Sequence, residues 1–149
     1  MKRTTVKTAR IQNKMKLQLP AISVNEGICR AIVGAFMTQA DPTIEELADV
    51  KCAVSEAFTN CTVHAYRETG GIVYISATLY EDRKLSITIR DEGCGIADVK
   101  KAREPLFTTD ESGDRSGMGF AVMESFTDRL TVTSKVGKGT KVRMIKYLT

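Results

Sequence analysis

The sequence predicts an α+β fold: a two-layer α/β sandwich with helices stacked on one face of a mostly antiparallel sheet. Three observations carry this expectation. Apolar residues recur at helical spacing through the first half of the chain. From residue 72 the period changes to two. Turn chemistry then joins the pieces by short connections, with no Pro/Gly-rich linker and no repeat. The chain has 149 residues, 42% hydrophobic and 27% charged, so a single core-bearing domain is expected over 15–149.

The elements follow in order. Lys16-Leu17-Gln18-Leu19 alternates polar and apolar, as a short edge strand does. Ser23-Val24-Asn25-Glu26 has the form of a capping box, and Ile28, Ile32, Ala35 and Phe36 recur after it on one helical stripe. That helix is expected to end near Ala40, before Asp41-Pro42. Thr43-Ile44-Glu45-Glu46 is a second capping box. It opens a long helix with Leu47, Val50, Val54, Ala57, Phe58 and Cys61 on one face, reaching His64 or Tyr66. Ile72–Tyr80 and the alternating Lys84–Arg90 form a hairpin around Glu81-Asp82-Arg83. A short helix at 97–103, an irregular segment over 104–116 and a third helix over Gly117–Phe126 come next. Arg129–Lys135 and Thr140–Tyr147 close the chain as a hairpin around Val136-Gly137-Lys138-Gly139.

Composition narrows the function classes. The net charge is +4, but residues 1–16 carry Lys2, Arg3, Lys7, Arg10, Lys14 and Lys16 and no acid. That stretch holds +6 and leaves the remainder at −2. Residues 1–14 therefore read as a mobile basic tail, and the mildly acidic remainder argues against a nucleic-acid partner. No apolar run has the length of a membrane span, and the N-terminus has no apolar signal core, so the expected location is the cytoplasm. Four cysteines without CxxC spacing, and one His, do not make a usual zinc set; they read as reduced thiols, mostly buried.

Three polar segments stand out. Glu56, Asn60 and His64 are spaced i, i+4, i+8 on the long helix. Asp91-Glu92-Gly93-Cys94-Gly95 ends an apolar strand, and Arg115-Ser116-Gly117-Met118-Gly119-Phe120 is a glycine-rich turn that opens a helix. Singly, each has an ordinary reading as a wet helix face, a turn and a loop ending. In this order and separation they resemble the N-box, G1 box, lid and G2 box of the Bergerat-type ATP-binding fold of gyrases and histidine kinases.

On that resemblance each part has a physical task. The Asn60 amide oxygen suits Mg²⁺, a hard ion shared among few protein groups, waters and phosphates. Glu56, one turn earlier, is placed to orient or deprotonate an attacking hydroxyl. Ionised Asp91 only accepts hydrogen bonds, which suits the adenine amino group, and Thr140 adds a hydroxyl at that end. Gly93 and Gly95 allow close backbone approach to the base. Ser116, Gly117 and Gly119 offer free N–H groups at a helix start to phosphates, and Arg115 neutralises charge there.

Over residues 15–148 the chain further resembles the anti-sigma F factor family of bacterial serine protein kinases. The stretches that carry this include Asp41-Pro42-Thr43, Val54-Ser55-Glu56-Ala57, His64-Ala65-Tyr66 and Ile89-Arg90-Asp91-Glu92-Gly93. Most specific is the lid, in Ala102-Arg103-Glu104-Pro105-Leu106-Phe107-Thr108-Thr109 and on to Gly119. The resemblance implies a homodimer that binds the sporulation sigma factor F and uses Mg-ATP to phosphorylate a serine of an anti-anti-sigma partner. It implies Glu56 as catalytic base and Asn60 as magnesium ligand. It also implies Thr108 and Thr109 near nucleotide or partner, and Arg30 as a partner contact. A stress-response anti-sigma kinase and a nucleotide-dependent binding module without catalysis are the competing readings.

Overall fold

The computed structural model describes residues 8–67, 69–105 and 118–149. Five strands form one antiparallel sheet in the order β1-β2-β3-β5-β4. They are β1 (Ile11–Pro20), β2 (Ile72–Tyr80), β3 (Lys84–Arg90), β4 (Arg129–Lys135) and β5 (Gly139–Tyr147). Helices α1 (Val24–Met37), α2 (Ile44–Asn60), α3 (Val99–Ala102) and α4 (Gly119–Phe126) complete the fold. The expected α+β sandwich is the observed architecture.

Strand alternation builds the core. Val73, Ile75, Ala77 and Leu79 of β2, with Leu85, Ile87 and Ile89 of β3, turn one face toward the helices and are buried. Phe58 and Val54 of α2 and Met123 of α4 meet that face, and all three are fully buried. Thr43 caps α2 by accepting a hydrogen bond from the Glu46 N–H at 3.1 Å, as its capping box predicts.

Several local expectations are corrected. β1 begins at Ile11, so Ile11–Lys14 belong to the sheet rather than to a tail; the long β2 strand offers Ile11 a partner at Tyr80. Ser23 caps α1 without a side-chain hydrogen bond, because its backbone is already helical at φ −60° and ψ −31°. The buried face of α1 is Asn25, Cys29, Val33 and Met37, one residue out of step with the predicted stripe. Ile28 on that stripe is 44% exposed. Asn25 holds this register by donating from Nδ2 to the Pro20 carbonyl at 2.9 Å. Of the four cysteines, Cys29 and Cys61 are buried while Cys52 and Cys94 are exposed.

Candidate functional site

The site begins on α2. Its apolar face, Val50, Val54, Ala57 and Phe58, is fixed in the core, which leaves Glu56 and Asn60 one turn apart on the half-buried side. Both side chains face the start of α4. A Cβ placed on Gly119 would lie 3.3 Å from Glu56 Oε2 and 3.3 Å from Asn60 Oδ1. Glycine at that position lets the first turn of α4 come against two oxygen acceptors. The N–H groups of that turn lack intrahelical partners and carry the positive end of the helix dipole.

His64 lies in the turn that follows Asn60. After Asn60 the helix widens into a π-turn over Cys61–Ala65, closed by the Tyr66 N–H on the Cys61 carbonyl at 3.1 Å. The turn serves the G1 loop. The Ala65 carbonyl accepts from the Cys94 N–H at 3.0 Å, and a Cβ on Gly93 would sit 2.4 Å from that same oxygen. Gly95, at φ +75°, leaves no room either: its Cβ would meet the Lys135 carbonyl oxygen at 2.3 Å. The glycines at 93 and 95 are thus demanded by close approach of protein backbone.

Asp91 lies at the end of β3 and is 5% exposed. Its Oδ1 accepts from the Gly93 N–H at 2.9 Å and the Thr140 N–H at 3.2 Å. Burial pushes its carboxyl above the ordinary range, with the two N–H donors working against that shift. Thr140 is buried beside it, and its hydroxyl is 2.8 Å from that of Ser134. Ser134 also accepts from the Ile96 N–H at 2.8 Å, tying the G1 loop to β4. The neighbouring Cys61 thiol is pushed well up by burial, so it stays protonated against Asp91.

Two of these residues have a role the sequence reasoning missed. The Tyr66 hydroxyl donates to the Ile72 carbonyl and accepts from the Glu92 N–H, each at 2.7 Å. Tyr66 thus pins the G1 loop to the start of β2. The Gly70-Gly71 pair was a legible signal, since a Cβ on Gly71 would be 2.2 Å from the Tyr66 ring. Ser134 had no signal, because a lone serine on an alternating strand reads as a wet position.

Arg30 lies at the other end of this surface, on α1. It pairs with Glu26 at 3.4 Å, and its guanidinium is 3.4 Å from the Ser55 hydroxyl, next to Glu56 in sequence. Thr108, Thr109, Arg115, Ser116 and Gly117 fall outside the described residues.

The donor set suits magnesium and nucleotide. Hard oxygens of Glu56 and Asn60 converge on a helix start, and a buried acceptor, Asp91, stands across the π-turn from them. Among the described residues no group of three or more His, Cys, Asp or Glu is assembled as a metal cage.

Residues 20–146 match the model of the histidine kinase-like ATPase domain. The chain is 54% identical to the anti-sigma F factor of Caldanaerobacter subterraneus, over 91% of this chain and 94% of that one. It is 52% identical to the anti-sigma F factor of Clostridium acetobutylicum, with the same shares covered. Among solved structures, the RsbU and RsbW domains of a Mycobacterium tuberculosis protein superpose with a TM-score of 0.68 at 17% identity. That match covers 92% of this chain and 33% of the other, and shows a shared fold. A blue-light activated histidine kinase of Erythrobacter litoralis gives a TM-score of 0.57 at 25% identity, over 72% of this chain and 32% of that one. This chain belongs to the histidine kinase-like ATPase domain family and, within it, to the anti-sigma F factors.

Proposed function

We propose that this chain is an ATP-dependent serine protein kinase that also acts as an anti-sigma factor. It binds a sporulation sigma factor F and, with Mg-ATP, phosphorylates a serine of an anti-anti-sigma partner, thereby inactivating that antagonist. It works as a cytoplasmic homodimer, with Arg30 among the contacts to its protein partners. The names of its relatives and the ATPase fold support this reading. The observation that carries the kinase part is the meeting of Glu56, Asn60 and Gly119 at the start of α4.

Each residue then has a task. Asp91 accepts from the adenine amino group, beside the Thr140 hydroxyl, in the loop held by Gly93 and Gly95. The α4 start, with Gly119 and the preceding Arg115, Ser116 and Gly117, donates to phosphate oxygens. Magnesium, when bound, neutralises phosphate charge and is held by Asn60 Oδ1. Glu56 accepts the proton of the incoming serine hydroxyl as that oxygen bonds to the terminal phosphorus and the bond from that phosphorus to the bridging oxygen breaks, with ADP leaving. Thr108 and Thr109 belong to the lid that meets nucleotide or partner.

Transfer of labelled phosphate from ATP to an anti-anti-sigma protein tests this. Glu56→Gln is expected to lose transfer by roughly 10²–10⁴-fold while keeping ADP affinity. Undiminished transfer by that variant removes Glu56 from the chemistry. Absence of any ADP binding by the unaltered protein removes the nucleotide site itself.

A further inference from the structure

Charge is sorted by layer in this fold. Among the described residues none of the five strands contains an Asp or Glu, although the chain has 18. The acids sit on helices, loops and turns. Strand register then places the basic residues together. Met15, Leu17 and Leu19 pack on the helix side, so Lys14 and Lys16 of β1 face away from it. The pairing of Arg90 with Lys141 and of Thr88 with Arg143 puts Arg90, Lys141 and Arg143 on that same open face. Lys84 of β3 joins them, as do Arg129 and Lys135 of β4, each an even number of residues from an open-face position. Among the described residues, Arg90 with Glu92 is the one ion pair at this face.

The space between these cations is filled by hydroxyls. Ser76, Thr78 and Thr88 lie in the middle of the face, with Thr131 and Thr133 toward its edge. Arg90 stacks 4.1 Å from the Tyr74 ring centre and Lys84 4.2 Å from that of Tyr80, which holds both cations upright over the sheet. A cleft of about 370 Å³ is lined by Arg90, Lys135, Lys138 and Lys141 together with Asp91, Ser134 and Thr140. Asp91 and Thr140 tie this cleft to the adenine end of the proposed nucleotide site, whereas Lys14 and Lys16 of β1, Arg129 of β4 and Arg143 of β5 lie outside its lining, so that site does not account for the charge across the rest of the face.

We propose that the open face of the sheet is a docking surface for a nucleic acid, gripped through its sugar–phosphate backbone without regard to base sequence. Charge complementarity decides the class of partner. Lysine is depleted at the centre of protein–protein interfaces, whereas lysine, arginine and hydroxyl side chains together are the usual contacts to phosphate. The apolar side chains of this face stand apart rather than forming one patch: Ile72 and Tyr147 are exposed at opposite ends of the sheet, and Ile145 between them is half-buried. Among the described residues the acids lie outside the strands, and Asp91, the one acid that lines the cleft, is buried.

The test uses fluorescence anisotropy of the full chain with labelled oligonucleotides, single-stranded and duplex, from about 50 to 200 mM salt. Binding is expected to weaken steeply with salt, each neutralised phosphate adding about 0.7–0.9 to the slope of log K against log salt. The variant Lys16→Glu/Arg129→Glu/Arg143→Glu changes three exposed side chains that the site above does not use. It is expected to bind roughly a hundredfold more weakly with a slope shallower by about 3, while ADP affinity is unchanged. The matching glutamine set serves if the reversal set does not fold. No oligonucleotide binding by the unaltered chain at low salt overturns the proposal, and so does equal binding by the variants. Tighter binding to polyglutamate or to phosphatidylglycerol vesicles than to either oligonucleotide also overturns it, in favour of an acidic protein or a membrane.

Discussion

Tyr66→Phe isolates the contact that joins the π-turn to the G1 loop. The ring remains, so its packing on Gly71 is kept and only the hydroxyl is lost. With it go two hydrogen bonds of 2.7 Å, one to the Ile72 carbonyl and one from the Glu92 N–H. A typical intramolecular hydrogen bond contributes about 0.5–1.5 kcal/mol net, and an orphaned buried partner costs more. Glu92 is exposed and water can reach its N–H, so the sum is set at about 2 kcal/mol. Urea slopes for small proteins are about 1–3 kcal/mol/M, so the unfolding midpoint is expected to fall by roughly 1 M. ADP affinity, measured by calorimetry on the folded variant, is expected to fall as well, because Glu92 adjoins Asp91 and Gly93. A stability loss below about 0.5 kcal/mol refutes the hydrogen-bond account. A full stability loss with unchanged ADP affinity refutes the link from Tyr66 to the nucleotide loop.

Asp91→Asn replaces an acceptor by an amide that can still receive the Gly93 and Thr140 N–H groups through its oxygen. Loss of a hydrogen bond to a charged group costs about 1.5–3 kcal/mol, so ADP affinity measured by calorimetry is expected to fall roughly 10–100-fold. The raised Asp91 carboxyl means that its ionised form is disfavoured in the folded state; stability from this group increases as pH falls through the folded value, and Asp91→Asn is expected to raise the thermal midpoint at neutral pH. Glu46 works in the opposite sense. Its carboxylate accepts from the Thr149 N–H at 3.1 Å and from the Thr149 hydroxyl, which lowers its folded pKa. Its contribution is present above the ordinary carboxylate range and is lost as pH falls through the folded value, so a Glu46→Gln variant should show a flatter acid-side stability curve in urea titrations at stepped pH. Met37→Ala is expected to cost about 2–5 kcal/mol in urea unfolding and Ile28→Ala within about 0.5 kcal/mol, which checks the register of α1 directly.

The α1 register shows why part of the fold was hidden in the sequence. Ile28, Ile32, Ala35 and Phe36 make the stronger apolar stripe on paper, yet the buried line runs through Asn25, Cys29, Val33 and Met37. A polar residue was discounted, although Asn25 is the one that fastens the helix to Pro20. Hydrophobic period locates a helix well and its rotation only to about one residue, since neighbouring stripes on a helix differ by 100°. The strands were plainer, because a slip of one residue would turn Val73, Ile75, Ala77 and Leu79 out to water. β1 alone was cut short, as Gln12-Asn13-Lys14 breaks the apolar alternation and its pairing depends on the length of a distant partner.

The site was legible in its acceptors and hidden in its supports. Glu56, Asn60 and Asp91 stand out through the order and separation of the segments that carry them, since each alone reads as an ordinary wet face or turn. Tyr66 and Ser134 hold the same loop, but each acts through contacts with distant chain: Tyr66 to Ile72 and Glu92, Ser134 to Ile96 and Thr140. Net charge conceals the sheet's cations for a related reason. A sum over the chain records how many ions there are and nothing of where strand alternation sends them. The cations of β1 and β3–β5 count for little against the acids of the helices and turns until register separates the two layers. Their concentration on one face creates a local potential that the total hides. The same alternation that buries the apolar core behind Glu56 and Asn60 therefore also assembles the cationic sheet on its opposite side.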